Sequence, residues 1–267
     1  MKKTQVRDRL WREILKARRD ALQPEDFGLE PRPDRRPGPT VTGLLQTDVD
    51  LIMKKPVGTY GRLESGRLRP TAEYLVEVAR QLRLDNDQYT YVHLELFQTE
   101  PVLPLDPDAG LCVPPDYQRA LDGQQHMAYI TDRRYDVRMY NAAFTEMFLD
   151  GKVPGNTMRW MLLSEEARDH TLSRWDVEWG PRVMPQFRAA LAAHPEDPVH
   201  NRLLGDILED RRARRIYDRM EDAYIHPDGD RRPLHHATLG PGWVTMIAEQ
   251  PLSSPGARHM TLLFDPS

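Results

Sequence analysis

Two short helical patterns separated by only a few residues constrain this sequence more than any other feature. The first pattern is one apolar helix face, formed by Leu45, Val49, Ile52 and Met53. Lys54 and Lys55 follow this face directly. Pro56 then stands where a proline commonly opens a helix, so a second helix is predicted over residues 56–64. The sequence therefore predicts a short helix, a tight turn and a second short helix.

Three further helices are predicted around this pair. An amphipathic helix begins near Val6 and should stop near Pro24. Prolines are frequent between residues 30 and 42, and they predict a loop because proline lacks a backbone donor and restricts the residue before it. Apolar spacing predicts one helix over 75–82 and another over 86–97.

The second half of the chain changes from helical to mixed patterns. Strands are predicted at 127–131 and 135–140, as a hairpin, and at 243–249 and 259–264 near the end. Three helices are predicted between them, with these apolar residues: Met184, Phe187, Leu191, Val199, Leu203, Ile207, Leu208, Ala213, Ile216, Tyr217 and Met220.

These patterns predict a multidomain chain. An all-α domain is expected over 1–98, a Pro- and Asp-rich linker over 99–115, and an α+β domain over 116–267. Charge follows the same division, because residues 1–97 carry 18 Lys and Arg against 15 Asp and Glu, and the rest carry 19 against 26. A basic front half suits phosphate binding, although a solvated helix face explains it equally well.

Composition excludes several other classes of protein. Cys112 is the single cysteine, so an intramolecular disulfide and a cysteine-rich zinc site are excluded. No apolar run approaches the ~20 residues of a membrane span, and the basic N-terminus has no apolar stretch behind it. We therefore expect a cytoplasmic protein.

Three ordered blocks of the front half resemble XRE-family helix-turn-helix regulators of actinobacteria. They are residues 10–29, Tyr60-Gly-Arg-Leu-Glu-Ser-Gly-Arg67 and residues 75–84. The resemblance implies a lambda-repressor-like fold whose second paired helix is the recognition helix in the major groove of DNA.

The back half is similar to the ligand-binding domain of MmyB-like regulators, which is a PAS-like fold. The matching segments are 135–141, 156–160, Trp175, 187–198, His236 and Gly240. This resemblance implies a homodimeric regulator of a pseudo-palindromic operator, and an apolar or amphipathic ligand, with fatty-acid-like molecules among the candidates.

Several positions in the helix pair depart from the first family. Asp50 and Met53 stand at positions where the family usually has small residues, and Lys54 stands at the usual turn glycine. Gly58 and Gly61 lie inside the predicted recognition helix, where each costs about 1 kcal/mol relative to Ala. These departures leave an alternative open, a protein-interaction module with a degenerate helix-turn-helix that no longer binds DNA.

The resemblance places the candidate DNA-binding residues in and beside the helix pair. Gly58, Thr59 and Arg62 are the candidates for base reading, and Gln46 is the candidate for a phosphate contact. The remaining phosphate candidates are Lys54, Lys55 and Arg67. Alternatively, Arg62 pairs with Glu64 and the other basic residues are solvated surface.

The candidate ligand-binding residues are apolar and aromatic, as in most small-molecule pockets. They are Tyr140, Phe144, Phe148, Trp160, Met184, Phe187 and Trp243. For each of them taken singly, ordinary core packing is the competing interpretation.

No catalytic motif supports an enzyme. The sequence lacks a Gly-rich phosphate loop, Gly-x-Ser-x-Gly and His-Glu-x-x-His. His226, His235 and His236 are close in sequence, but adjacent histidines point to opposite faces of a strand, which disfavours a shared metal. We predict no catalytic residue, no metal and no cofactor.

Overall fold

The computed structural model describes residues 2–30, 43–106, 108–219 and 228–267. The chain divides into two compact units, Met1–Pro107 and Asp108–Ser267. The stretch predicted as a linker is divided between them, because Leu105 packs in the core of the first unit and the Gly110 carbonyl accepts from the Arg133 amide in the second. The loop predicted over 30–42 lies, apart from Glu30, outside the described residues.

The first unit is helical. Its α-helices are α1 (Lys2–Ala21), α2 (Gln46–Ile52), α3 (Thr59–Glu64), α4 (Ala72–Gln81) and α5 (Asn86–Phe97), with a 3-10 helix at Pro24–Phe27. The five helices predicted from sequence are confirmed as elements. The start of α3 was predicted three residues too early, because Gly58 has a left-handed φ of 86° and only Thr59 enters the helix.

The core of the first unit is formed by apolar faces of all five helices. Its most buried residues include Leu15, Val49, Tyr60, Leu63, Leu75, Val78, Leu82 and Val92. Each large apolar side chain buried in this way contributes about 1.5–3 kcal/mol. Side chains also cap the later helices, since Thr71 accepts from the Tyr74 amide and Asp85 from the Gln88 amide.

The second unit is α+β, as predicted. Its helices are α6 (Tyr117–Asp122), α7 (Ala142–Thr145), α8 (Thr157–Leu163), α9 (Gly180–Ala193), α10 (Pro198–Glu209) and α11 (Arg211–Asp218). Short 3-10 and π-helical stretches lie at Leu149–Gly151, Ala167–Thr171 and Trp175–Trp179. Its strands are β1 (Met127–Thr131), β2 (Val137–Tyr140), β3 (Asp230–His236), β4 (Gly240–Glu249) and β5 (Arg258–Pro266).

These strands form a five-stranded antiparallel sheet in the order β2-β1-β5-β4-β3. Tyr129 of β1 pairs with Met260 of β5, and Met246 of β4 pairs with Leu262 of β5. These side chains face a large apolar core that helices α8 to α11 share with the sheet. A smaller cluster around Leu121 and Ile130 includes residues of α6 and β1.

Two predictions for the sheet need correction. The second strand begins at Val137 rather than Tyr135. Tyr135 has a left-handed φ of 67°, and the Asp132 amide donates a hydrogen bond to the Asp136 carbonyl, so residues 132–136 form a turn. Strand β3 was not predicted at all, since its sequence is charged and contains Pro233, which an edge strand tolerates. Among the described helices, none is both long and apolar enough to cross a membrane.

Candidate functional site

The turn between α2 and α3 has a fixed backbone geometry. Lys54 adopts a left-handed φ of 52°, and the Lys55 amide donates to the Asp50 carbonyl at 2.8 Å. Gly58 adopts the second left-handed conformation and ends the turn. Glycine takes this conformation at no steric cost, whereas lysine takes it with some strain.

The carboxylate of Asp50 closes the turn. Asp50 is 1% exposed, and its two oxygens accept from the Gly58 amide at 2.6 Å and the Tyr60 amide at 2.7 Å. Both amides belong to the start of α3, where a helix leaves its first donors unpaired. Asp50 therefore has a structural role in this helix pair.

A second network fixes the end of α3 against α1 and α2. The Arg19 guanidinium donates to both oxygens of Glu64, at 2.8 and 3.2 Å, and to the Leu44 carbonyl at 2.6 Å. Gln46 donates to the same carboxylate at 2.9 Å. Burial opposes ionisation of Glu64, but the hydrogen bonds from Arg19 and Gln46 outweigh it and hold the pKa of Glu64 below its ordinary value.

Of the predicted base-reading residues, Gly58 precedes α3, Thr59 is its first residue and Arg62 lies in its last turn. Arg62 is exposed, and its Nε lies 3.4 Å from the Gly58 carbonyl. Thr59 is half-buried and donates its hydroxyl to the Pro56 carbonyl at 2.6 Å. The alternative pairing of Arg62 with Glu64 is not formed, since Glu64 pairs with Arg19.

The predicted phosphate-contacting residues differ in how available they are. Lys54 and Arg67 are exposed, and neither side chain forms an ion pair with a described residue. Lys55 is engaged by Glu77 at 2.9 Å and lies 5.5 Å from the centre of the Tyr74 ring. Gln46 is exposed, yet its amide already donates to Glu64.

The second unit contains a cavity of about 40 Å³ between the sheet and the helices. It is lined by Tyr129, Thr131, Tyr135, Thr157, Met161, Trp179, Val183, Gln186, Arg232, Met246, Arg258 and Met260. This volume holds about two or three water molecules, and pockets for drug-sized ligands are roughly 300–1,000 Å³. A larger ligand therefore requires its walls to move.

Two arginines give the cavity a cationic side. Arg258 lies 4.4 Å from the centre of the Tyr135 ring and forms no ion pair within the described ranges. Arg232 is fully buried, pairs with Asp230 at 2.6 Å and lies over Trp179. Burial raises the pKa of Tyr129 to about 12, against the opposing charges of the two arginines, so this hydroxyl is a neutral donor.

The seven ligand-binding residues predicted from sequence lie elsewhere, and none of them lines this cavity. Phe144, Phe148, Met184 and Phe187 are buried in the large core. Trp160 is partly buried and donates to Glu166 at 2.6 Å. Tyr140 and Trp243 are 43% and 37% exposed, and Arg231 lies 5.2 Å from the Trp243 ring.

Sequence reasoning missed the residues that do line the cavity. Met246 and Met260 lie at alternating buried positions of strands that were predicted, so a period-2 pattern could have indicated them. Tyr129 lies in a strand that is buried throughout, so no such pattern distinguishes it. Arg232 lies on the strand that was missed. Charged residues in a strand do not indicate burial by themselves, and only the fold shows that Arg232 faces inward.

A second, polar depression of about 190 Å³ lies on the same unit. Its lining residues are Leu149, Asp169, His170, Thr171, His235 and Ala237. His235 is exposed and His236 buried, which agrees with their predicted opposite directions, and His226 lies outside the described residues. Over the described ranges, no three His, Cys, Asp or Glu side chains are grouped as a metal would require.

Comparison with known proteins assigns the second unit. The family model of the MmyB-like transcription regulator ligand binding domain matches residues 113–266, which is more than half of the chain. The match includes all five strands and every residue that lines the cavity. No curated protein matches the chain.

Proposed function

The chain belongs to the family of the MmyB-like transcription regulator ligand binding domain, and on this premise we propose that it is a DNA-binding transcriptional regulator. In this proposal the first unit is an XRE-type helix-turn-helix domain that binds an operator sequence. A small molecule in the second unit modulates that binding.

The observation that carries the DNA-binding proposal is the exposure of Arg62 on a helix that side chains hold at both ends. Helix α3 is held at its start by Asp50 and at its end by the Arg19–Glu64 pair, and between these two points Arg62 is exposed. A guanidinium so presented can bond the O6 and N7 acceptors of guanine in the major groove. Lys54 and Arg67 supply exposed positive charge for phosphates on either side.

The alternative, a protein-interaction module that no longer binds DNA, depended on the unusual residues of the helix pair. Three of these residues have structural explanations. Asp50 accepts hydrogen bonds from amides at the start of α3, and Lys54 and Gly58 both adopt left-handed turn conformations. Gly61 leaves room for Gln46, whose Oε1 would lie 2.7 Å from a Cβ at that position. These contacts support an intact helix pair.

The cavity supports an amphipathic ligand with an acidic head group. Arg258 has no carboxylate partner among the described residues, and the Tyr129 hydroxyl has no hydrogen-bond acceptor there either. Met161, Met246 and Met260 line the same space, and the flexible methionine side chain readily changes shape. We propose that the acidic head binds at Arg258 while the methionines move to admit the apolar part.

The remaining features of the proposal follow the family. We propose a cytoplasmic homodimer that binds a pseudo-palindromic operator with half-sites about 10 bp apart, or a multiple of that spacing. We propose that the chain regulates transcription and does not catalyse a reaction, and that it works without a metal or cofactor.

The DNA-binding proposal is tested by selecting sites from a randomised duplex library with the full-length chain. We expect one enriched sequence whose binding constant falls steeply with salt, by a logarithmic slope of about −0.9 per phosphate contact. The R62Q variant should lose roughly 5- to 150-fold in affinity for that sequence, the cost of about 1–3 kcal/mol for a lost base contact.

The matched control is R80Q, because Arg80 is an exposed arginine of α4, outside the helix pair. R80Q should bind the selected duplex as the wild type does. If the wild-type chain enriches no sequence and binds no duplex at low salt, the DNA-binding proposal is wrong and the protein-interaction alternative is favoured.

A further inference from the structure

Asp50 is a buried carboxylate without a cationic partner. It is 1% exposed, and it forms no ion pair with any residue in the described part of the chain. An ionised carboxylate removed from water is costly unless hydrogen bonds replace its hydration. In Asp50 the lost hydration is replaced by hydrogen bonds from two backbone amides, those of Gly58 and Tyr60.

Those two amides lack any other side-chain acceptor. The residue before α3 is Gly58, which has no side chain, so the usual capping bond from that position is absent. Helix α3 has six residues, too few to be stable alone. A carboxylate at this end also interacts favourably with the helix dipole. Asp50 therefore supplies, from the preceding helix, the cap that α3 lacks.

Gly58 connects Asp50 to Arg62 through its two adjacent peptide groups. The Gly58 amide donates to Asp50, and the Gly58 carbonyl accepts from the Arg62 amide at 3.1 Å and lies 3.4 Å from its Nε. A change in the φ or ψ angle of Gly58 therefore moves the carbonyl against which the Arg62 side chain rests.

We infer that Asp50 is a positioning residue for sequence recognition: its carboxylate fixes where α3 starts and so where Thr59 and Arg62 point. This inference rests on the proposed DNA binding. It also implies that the amides of Gly58 and Tyr60 are not available to a DNA phosphate. Phosphate contacts near this turn then depend on side chains such as Lys54.

The experiment compares the D50A and D50N variants of the full-length chain with the wild type and with L82A. Leu82 is fully buried and follows α4, outside the helix pair in sequence, so L82A destabilises the same unit by a core cavity while leaving the Asp50 hydrogen bonds in place. The quantity measured is the ratio of affinities for the selected duplex and for an unrelated duplex of equal length. All variants are measured at a temperature where circular dichroism shows them folded.

D50A should lower this ratio at least about tenfold, whereas L82A should leave it unchanged. D50N should lie between wild type and D50A, because an amide has one acceptor oxygen for two donors. Hydrogen exchange gives a second readout: in D50A the amides of Gly58 and Tyr60 should lose protection while those of α4 keep theirs.

A D50A variant that keeps the wild-type ratio overturns the inference, even if its amides lose protection, and leaves the proposed function intact. Unchanged protection in D50A overturns it as well, because the capping bonds would then be unimportant. If the wild-type chain itself selects no duplex, the proposed function fails, and this inference fails with it.

Discussion

Replacing Arg19 with methionine removes the cation from the most buried ion pair of the helical unit. The side chains of Arg19 and Glu64 are 8% and 9% exposed, and Arg19 makes three hydrogen bonds there. Breaking a buried pair from one side costs about 3–5 kcal/mol, because the remaining charge is left uncompensated. We expect about 3 kcal/mol for R19M, the lower end, since Gln46 still donates to Glu64.

The assay is urea unfolding of the chain labelled with 5-fluorotryptophan and followed by ¹⁹F NMR. Trp11 lies in the core of the helical unit, so its resonance reports the unfolding of that unit. K16M is the control, because Lys16 is an exposed residue of the same helix, and it should change the stability by less than about 0.5 kcal/mol. R19M, E64Q and the double variant complete a double-mutant cycle.

The stability of the wild type and of R19M should also depend differently on pH. The folded-state pKa of Glu64 is lowered, so its stabilisation is complete above the unfolded value of about 4.3 and is lost as pH falls through the folded value. In R19M burial acts without this cation, so the difference between wild type and R19M should shrink as pH falls. A loss of stability below about 1 kcal/mol in R19M, or effects of R19M and E64Q that simply add in the double variant, would show that Arg19 and Glu64 are not a stabilising buried pair.

Three further results are expected. G61A should raise the urea midpoint, because Ala is favoured over Gly in a helix by about 1 kcal/mol. Its Cβ displaces Gln46, so the affinity of G61A for the selected duplex should fall. An unchanged affinity would contradict the role of Gln46 in DNA binding. H200L should stabilise the second unit at pH 6 and reduce its loss of stability on acidification, measured by urea titration of the Trp175 ¹⁹F resonance. Burial lowers the pKa of His200, whose ring nitrogens have no hydrogen-bond partner among the described residues. The wild type therefore loses stability as pH falls below about 6.5. An equal pH dependence in the wild type and in H200L would refute this. The ratio of the calorimetric affinities for dodecanoate and dodecanol should fall roughly tenfold or more in R258M. The control R119M, at an exposed arginine of α6, should keep the wild-type ratio. An equal fall in both variants would exclude Arg258 from the ligand site.

The elements predictable from sequence are those whose residues interact mainly within one element. Helix α5 and strand β1 have the predicted bounds, because an Asp85 cap and an uninterrupted apolar run specify them locally. The start of α3 could not be predicted in this way. It depends on the left-handed Gly58 and on a carboxylate eight residues earlier in the chain.

The hydrophobic pattern of the sequence does not predict which charged residues are buried in the core. Arg19 reads as part of the polar face of α1, yet it is buried, because its partner Glu64 lies 45 residues away. Arg232 is buried beside Asp230, two residues earlier on the same face of β3. Such positions become visible only when the fold brings the opposite charge close.

The residues that line the cavity could not be predicted for a different reason. The large aromatic residues chosen from sequence, such as Phe144 and Phe187, fill the core. The cavity remains where methionine, threonine and arginine side chains of separate strands and helices meet. Which residue fills space and which one borders a cavity depends on pairings such as Tyr129 with Met260.

Amide NMR of the full-length chain with the selected duplex shows whether α2 and α3 enter a DNA groove. We expect the largest shift changes on Thr59–Glu64 and on Gln46, and the R62Q variant should lose those on α3. Shift changes confined to other parts of the chain, or none at a duplex concentration that saturates binding, would rule out α2 and α3 as the DNA-binding helices.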